Sequence, residues 1–395
     1  MTNKMEHKLS VIIPCYNCEK TLEEAVASVY RQNLDLPYEI ILVDDKSTDR
    51  TMELMSSLKQ KYPQIYCYFH SLNLGGGATR NTAVEKATGD IIFCLDSDDF
   101  LGDGTLSKMV KLLIEKNCDG VGISTSIKFR GKNKKDIAFT NNFGFTGEQI
   151  PFESLVEKKE RPLCPLYSTF MFTKDAFNIT GGYPTNHGFD TQGFAWRFLA
   201  NGLIAYTSPE TVYWHRIAFH KSYYLREYES GKISHNWYKI FLEFFYLFTD
   251  EIKNKILNFN LNSVDLTLMD WLKGQEQIFI TDYKKEIKMD TIQEKQQKIL
   301  SSDKNNPYDY FWLGNKYYQE KKYTEAIDVL IKTIKTGLGT ITVYKPLIDS
   351  LFQLNNLETK TSLEKILEAE KTIKQGSLAP LYLRIIRKIR KIIKK

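Results

Sequence analysis

The stretch "DIIFCLDSDDF" (90–100) ends in three carboxylates within four positions, Asp96, Asp98 and Asp99. Like charges so close repel one another unless a cation or a set of donors neutralises them. A hard divalent ion such as Mn²⁺ or Mg²⁺ suits carboxylate oxygens and phosphate oxygens alike. The simplest alternative is that these acids cap a following turn, but three are more than a cap requires. Two other stretches have residue types suited to anion chemistry. "GGGATRN" (75–81) offers amides at Gly75, Gly76 and Gly77 unobstructed by Cβ, and Arg80 adds a fork of donors for phosphate. "YEIILVDD" (38–45) is a second apolar run that closes on a carboxylate pair, Asp44–Asp45. Asp44 can equally serve the turn before Ser47.

These groups need elements to hold them, and the first half of the chain supplies alternating strands and helices. Residues 91–95 form an unbroken apolar run that reads as a strand buried on both faces, 38–45 reads as a second buried strand, 8–17 as a strand running into a loop, and 65–70 as a further strand. Between them, "CEKTLEEAVASVYRQ" (18–32) places Leu22, Ala25, Val26 and Val29 at helical spacing. The segment 47–62 reads as a helix with Ser47 and Asp49 as N-cap candidates, and 75–89 as a glycine-rich loop entering a helix. Such alternation means a parallel sheet flanked by helices, with ligands beyond the carboxyl ends of the strands. The carboxylates and glycines all fall at those ends.

Composition narrows the class. At 395 residues the chain is too long for a single core. Its 42% hydrophobic and 26% charged residues are ordinary for a globular protein and argue against disorder. The longest apolar run, "IFLEFFYLF" (240–248), is too short to span a bilayer and contains Glu243. The N-terminus shows no signal-peptide pattern, so a cytoplasmic protein is expected. "CYNC" puts Cys15 and Cys18 at zinc-knuckle spacing, but no second pair matches, and reduced thiols are the better reading.

The sequence "SVIIPCYN", "EIILVDDKSTDRT", "GGGATRNTAVEKATGDIIFCLDSDD" and "GGYP", in that order, resembles the catalytic domain of glycosyltransferase family 2. The resemblance covers roughly residues 8–220. It implies an α/β fold of GT-A (Rossmann-like) type, a mostly parallel sheet flanked by helices, here followed by an all-α region. It implies a metal-dependent, inverting transfer of a sugar from a UDP-sugar to a hydroxyl of a glycan, glycolipid or glycoprotein. Asp96, Ser97 and Asp98 match the family's Asp-x-Asp element, with Asp96 and Ser97 toward the nucleotide and Asp96 and Asp98 toward Mn²⁺ or Mg²⁺. Pro14, Tyr16, Asp44, Asp45, Gly76 and Arg80 fall at the family's nucleotide-binding positions. Asp45 would accept from the imide N–H of uracil.

The acceptor side departs from the family. A Glu-Asp pair is usual shortly before a helical Arg, whereas "GFDTQGFAWRFLANG" (188–202) places Asp190 and Thr191 there, counted back from Arg197. Asp190 is the nearby carboxylate and is taken as the general base; capping a helix that begins near Gln192 is its alternative. His215 in "VYWHR" lies where several GT-A enzymes complete the metal site, and His187 and Trp196 are candidates for the acceptor pocket.

The expected domains are 1–225 (catalytic), 226–300 (helical extension), 301–375 (tetratricopeptide-like) and 376–395 (basic tail). Tyr310, Leu313, Gly314, Tyr317, Tyr323 and Ala326 follow the tetratricopeptide spacing; one period on, Tyr344 and Leu347 are in register but Lys360 replaces the alanine. A plain helical hairpin remains open, as does a protein partner or self-association through this region. A non-catalytic, nucleotide-binding scaffold is the competing function. The net charge of +6 resides in the tail, whose seven Lys/Arg leave −1 for the rest, so no nucleic-acid partner is expected. From Leu381 an isoleucine stripe at helical spacing runs beside those bases, the pattern of a helix on an anionic membrane surface via 377–395. Packing on the helical region is the alternative.

Overall fold

The computed structural model describes residues 7–130, 136–156, 164–217, 227, 229–263, 265–287, 292–302, 305–338 and 341–354. Its first elements follow the apolar runs. They are β1 (Leu9–Cys15), α1 (Leu22–Tyr30), β2 (Tyr38–Asp44), α2 (Thr51–Lys61), β3 (Ile65–Phe69), α3 (Gly76–Lys86) and β4 (Ile91–Cys94). These four strands are parallel in the order β3-β2-β1-β4. Val11, Ile13, Ile40, Leu42, Ile91 and Phe93 have no exposed surface and join α1's Leu22 and Val26 in one core.

Past β4 the chain forms β5 (Phe100–Leu101), α4 (Thr105–Lys116), β6 (Gly120–Arg130), β7 (Ile137–Asn142), β8 (Phe170–Thr173), α5 (Lys174–Thr180), α6 (Asp190–Ala200) and β9 (Ala205–Ile217). The sheet continues β4-β8-β6-β9-β5, with β7 beside β6. Here the direction changes: β8 is antiparallel to β4 and β6, whereas β6 and β9 are parallel. The parallel half carries the strand-end carboxylates. The mixed half brings β9 to the turn after β4, because β5, the direct continuation of that turn, pairs Phe100 with Trp214.

Arg50, not Ser47 or Asp49, holds the N-cap position of α2, although Asp49 satisfies the first N–H of that helix. Ser47 Oγ accepts from Asn17 N at 2.9 Å, and Asp49 accepts from Glu19 N at 3.2 Å and Thr51 N at 3.0 Å. They tie the loop after β2 to the loop after β1, the two rims of one cleft.

The chain divides into two compact units. One comprises Met1–Trp237, Leu261–Gln275 and Ile287–Thr291; the other comprises Tyr238–Asn260, Glu276–Glu286 and Ile292–Lys395. The segment expected as a separate extension, 226–300, is thus shared between them. Within the second unit, helices Pro307–Gln319 and Tyr323–Lys335 form a hairpin with Tyr310, Leu313 and Ala326 buried. A Cβ on Gly314 would lie 2.6 Å from Leu330 Cγ, so this position needs glycine for close helix packing. The third helix, Ile341–Leu354, contains Tyr344 and Leu347. Lys360 and the basic tail lie outside the described residues. Among those described, no helix is long and apolar enough to cross a membrane.

Candidate active site

A cleft of about 1300 Å³ opens at the carboxyl ends of β1, β2 and β4. Pro14 and Tyr16 border it after β1, Asp45 after β2, Gly76 and Arg80 on α3, and Asp96, Ser97 and Asp98 after β4. All eight were expected at a nucleotide or metal. Tyr16 is half exposed, which leaves its ring face open to a planar ligand.

Asp44 is a correction. Its side chain is fully buried and does not border the cleft; Oδ2 accepts from Ser47 N at 3.0 Å. The pleat explains it, since successive residues at a strand end point to opposite sides. Asp45 faces the cleft, and Asp44 becomes the turn residue.

Arg80 joins two carboxylates at the cleft. Its Nη2 donates to Asp96 Oδ1 at 2.5 Å and its Nη1 to Asp190 Oδ2 at 2.6 Å. The side chains are 11%, 35% and 13% exposed respectively, so two carboxylates from distant parts of the chain meet on one buried guanidinium. The glycines make the approach possible: a Cβ on Gly76 would lie 2.8 Å from Arg80 Nη1, and one on Gly77 would lie 2.1 Å from Pro184 O. The "GGYP" motif delivers the second carboxylate. Asn81 clamps Tyr183 through its N–H (2.8 Å) and carbonyl (2.9 Å), and Arg197 Nη1 donates to Gly182 O at 2.8 Å. Asp190 opens α6 and its Oδ1 accepts from Thr191 N at 3.0 Å, but Phe189 holds the N-cap position. Burial raises the Asp190 carboxyl above its ordinary value, and Arg80 partly offsets that.

The three acids of the opening stretch have three different surroundings. Asp96 is held by Arg80. Asp98 borders the cleft, and burial together with Asp99 and Asp96 pushes its carboxyl up to about 7. Asp99 is buried and points away to β9, where Oδ1 accepts from Arg216 N at 2.8 Å and Oδ2 lies 3.0 Å from His215 Nδ1. Asp99, more than burial opposes, raises His215 to about 9.

The expected metal set Asp96, Asp98 and His215 is therefore not a preformed cage. His215 is turned to Asp99 and does not border the cleft, and no three His, Cys, Asp or Glu among the described residues are grouped to hold an ion. Asp98 nevertheless fits a divalent cation, which would supply the positive charge that its two acidic neighbours withhold. Two carboxylates plus substrate phosphates, without an all-protein cage, is the usual arrangement for Mg²⁺.

Arg216 escaped the reading of the sequence. It is buried, lines the cleft, donates from Nε to Asp98 O at 2.9 Å and from Nη2 to Glu24, and stacks over Phe129. Nothing in "VYWHR" marks it apart from its neighbour His215, because its partners lie on α1 and the β4 turn. Trp196 is a second correction. It is fully buried, packs edge-on against Phe152, and its Nε1 donates to Tyr167 Oη at 2.8 Å. His187 Nδ1 accepts from Phe189 N at 3.2 Å and does not border the cleft. Cys15 and Cys18 are both buried free thiols.

A strand order of β3-β2-β1-β4, with paired acids and an arginine-bearing glycine helix at the strand ends, defines an α/β domain of GT-A type. Residues 10–178 match the model of glycosyl transferase family 2. It is similar to poly(ribitol-phosphate) beta-glucosyltransferase of Bacillus spizizenii, 30% identical over 222 residues, which are 52% of this chain and 35% of that protein. It is also similar to the poly(ribitol-phosphate) beta-N-acetylglucosaminyltransferase TarS of Staphylococcus aureus, 32% identical over 133 residues, 33% of this chain and 22% of that one. The crystal structure of S. aureus TarS 1–349 in complex with UDP-GlcNAc aligns over 92% of this chain and 89% of that chain, with 17% identity and a TM-score of 0.46. The chain spans about a third or less of the length of these two curated relatives.

Proposed function

We propose that this protein is a metal-dependent, inverting glycosyltransferase that moves a sugar from a UDP-sugar to a hydroxyl of a surface glycan or related glycoconjugate. The observation that carries the reading is the convergence of Asp45, Arg80, Asp96 and Asp98 on one cleft. The names of the relatives, which act on poly(ribitol-phosphate), support a cell-wall polymer as the acceptor class.

Asp45 accepts the nucleobase N–H while Pro14 and Tyr16 line the base and ribose. Asp96 and Asp98 would hold Mn²⁺ or Mg²⁺, and such an ion would supply Lewis-acid charge to the departing diphosphate. Arg80 keeps Asp96 oriented toward that position. Asp190 is the base we assign to the acceptor hydroxyl: burial lifts its basicity toward the working pH, which favours proton transfer. The basic tail, 377–395, places the enzyme at the cytoplasmic face of an anionic membrane, where a lipid-carried acceptor would be met.

Release of UDP from a panel of UDP-sugars, with Mn²⁺ and with a chelator, tests the proposal. Metal-dependent release from at least one donor is expected. Tight UDP binding with no turnover of any donor, with or without acceptor, would support the scaffold instead.

A further inference from the structure

Asp45 carries more hydrogen bonds than a base-reading carboxylate needs. Oδ1 accepts from Leu74 N at 2.8 Å and lies 2.9 Å from His70 Nδ1, and Oδ2 accepts from Gly75 N at 2.8 Å. Each carboxylate oxygen offers two lone-pair directions. Oδ1 is filled; Oδ2 retains one. His70 faces a carboxylate, so its Nδ1 carries the proton and donates. In the neutral ring its Nε2, 3.0 Å from Thr82 Oγ1, then accepts from the threonine hydroxyl. The two side chains are only 10% and 5% exposed, so water does not compete strongly for these bonds. His70 is itself fixed, with its N–H donating to Asp44 O at 2.9 Å. Thr82 sits on α3, the helix that presents Gly76, Thr79 and Arg80 to the cleft.

We infer that His70 is a positioning residue for nucleobase recognition. It holds Asp45 so that a single acceptor direction on Oδ2 is left for the ligand, and it ties that carboxylate to the helix that meets the phosphates. A carboxylate with one remaining acceptor direction and no donor selects a base presenting a ring N–H, as uracil does, over one presenting a ring nitrogen lone pair, as cytosine does. His70 therefore sets how sharply uridine nucleotides are distinguished from cytidine nucleotides. The inference rests on the uridine-nucleotide reading above.

The test measures binding of UMP and CMP to the metal-free full chain by calorimetry or ligand-observed NMR, alongside pyrophosphate binding with Mn²⁺. Wild type should prefer UMP. His70→Ala should weaken UMP about tenfold, the loss of roughly one oriented hydrogen bond, and bring the UMP-to-CMP ratio toward one. Pyrophosphate binding should stay unchanged. His70→Asn, whose amide N–H can replace Nδ1, should restore most of the ratio. If His70→Ala fails to fold, Thr82→Val, which removes only the far bond, should still narrow the ratio severalfold. An unchanged UMP-to-CMP ratio in a folded variant overturns the inference, as does a parallel loss of UMP and pyrophosphate. Wild type that binds CMP as well as UMP, or neither, instead overturns the uridine reading and takes this one with it.

Discussion

Replacing Arg80 by Leu removes the cation that two carboxylates share. Asp190 is 13% exposed on its side chain, so its charge would be left buried without a partner. Breaking a buried pair in this way costs about 3–5 kcal/mol. Asp96, 35% exposed, keeps enough water that its share is about 1 kcal/mol or less. Asp190 therefore dominates, and its titration gives the effect a sign with pH. Burial already raises its folded pKa, so the stability it contributes is fully present below the ordinary carboxylate value near 4 and is lost as pH rises through the folded pKa. Without the guanidinium the folded pKa rises further. The cost of Arg80→Leu should thus be about 3–5 kcal/mol at pH 7.5 and shrink steadily toward pH 4. Urea unfolding followed by tryptophan fluorescence reads this well, because Trp196, Trp214, Trp237 and Trp271 all belong to the unit that contains Arg80. Adding Asp190→Asn to the variant should recover at least half of the loss. A cost below about 1 kcal/mol at neutral pH, or one that does not vary with pH, would refute the reasoning.

Gly77→Ala should destabilise the same unit by about 2–3 kcal/mol, since its Cβ would meet the Pro184 carbonyl at 2.1 Å, whereas Gly274→Ala, whose nearest atom is 3.4 Å away, should stay within about 0.5 kcal/mol; equal effects in thermal unfolding would contradict the packing argument. Asp98→Asn should abolish turnover and weaken UDP binding only when Mn²⁺ is present, and full activity in that variant would end the metal assignment. Asp190→Asn should lower kcat roughly a hundredfold with UDP affinity nearly intact, and an equal loss of UDP affinity would mark the residue as structural. Deleting residues 377–395 should leave turnover of a soluble acceptor unchanged but abolish sedimentation with anionic liposomes at low salt; full-length protein that stays in the supernatant would exclude the membrane role.

The parallel half of the fold was legible in the sequence because β1, β2 and β4 are largely apolar runs buried on both faces, and each strand, the half-exposed edge strand β3 included, is set off by helices. Ile91–Cys94 and Tyr38–Asp44 lie within one residue of the expected positions. The mixed half was not legible, because β6, β8 and β9 derive their direction from tertiary pairing rather than from periodicity. The same division runs through the site. Pro14, Tyr16, Asp45, Gly76, Arg80 and Asp96–Asp98 sit on or beside the parallel strands and were read from local spacing. Asp44, Trp196, His187 and Arg216 depend on which way a side chain turns or on what distant segment it meets. Asp190 is intermediate: its place before α6 was readable, but its partner Arg80, 110 residues away, was not.

The carboxylate triplet shows why spacing alone could suggest a cation without apportioning the acids to it. Crowding three acids raises the cost of every one, and the fold relieves it in three directions. Asp96 turns to α3 and Asp99 to β9, 116 and 117 residues further along the chain. Asp98 is left at the cleft beside Asp96 without a side-chain cation of its own, its acidity weakened to about 7. Arg216 closes the arrangement from behind: its main chain donates to Asp99 while its guanidinium donates to the Asp98 carbonyl and to Glu24. The turn is thereby held from α1 and β9, by two residues that themselves line the cleft. An arrangement of this kind loads one carboxylate with the charge of its neighbours, and it depends on those neighbours as much as on Asp98 itself.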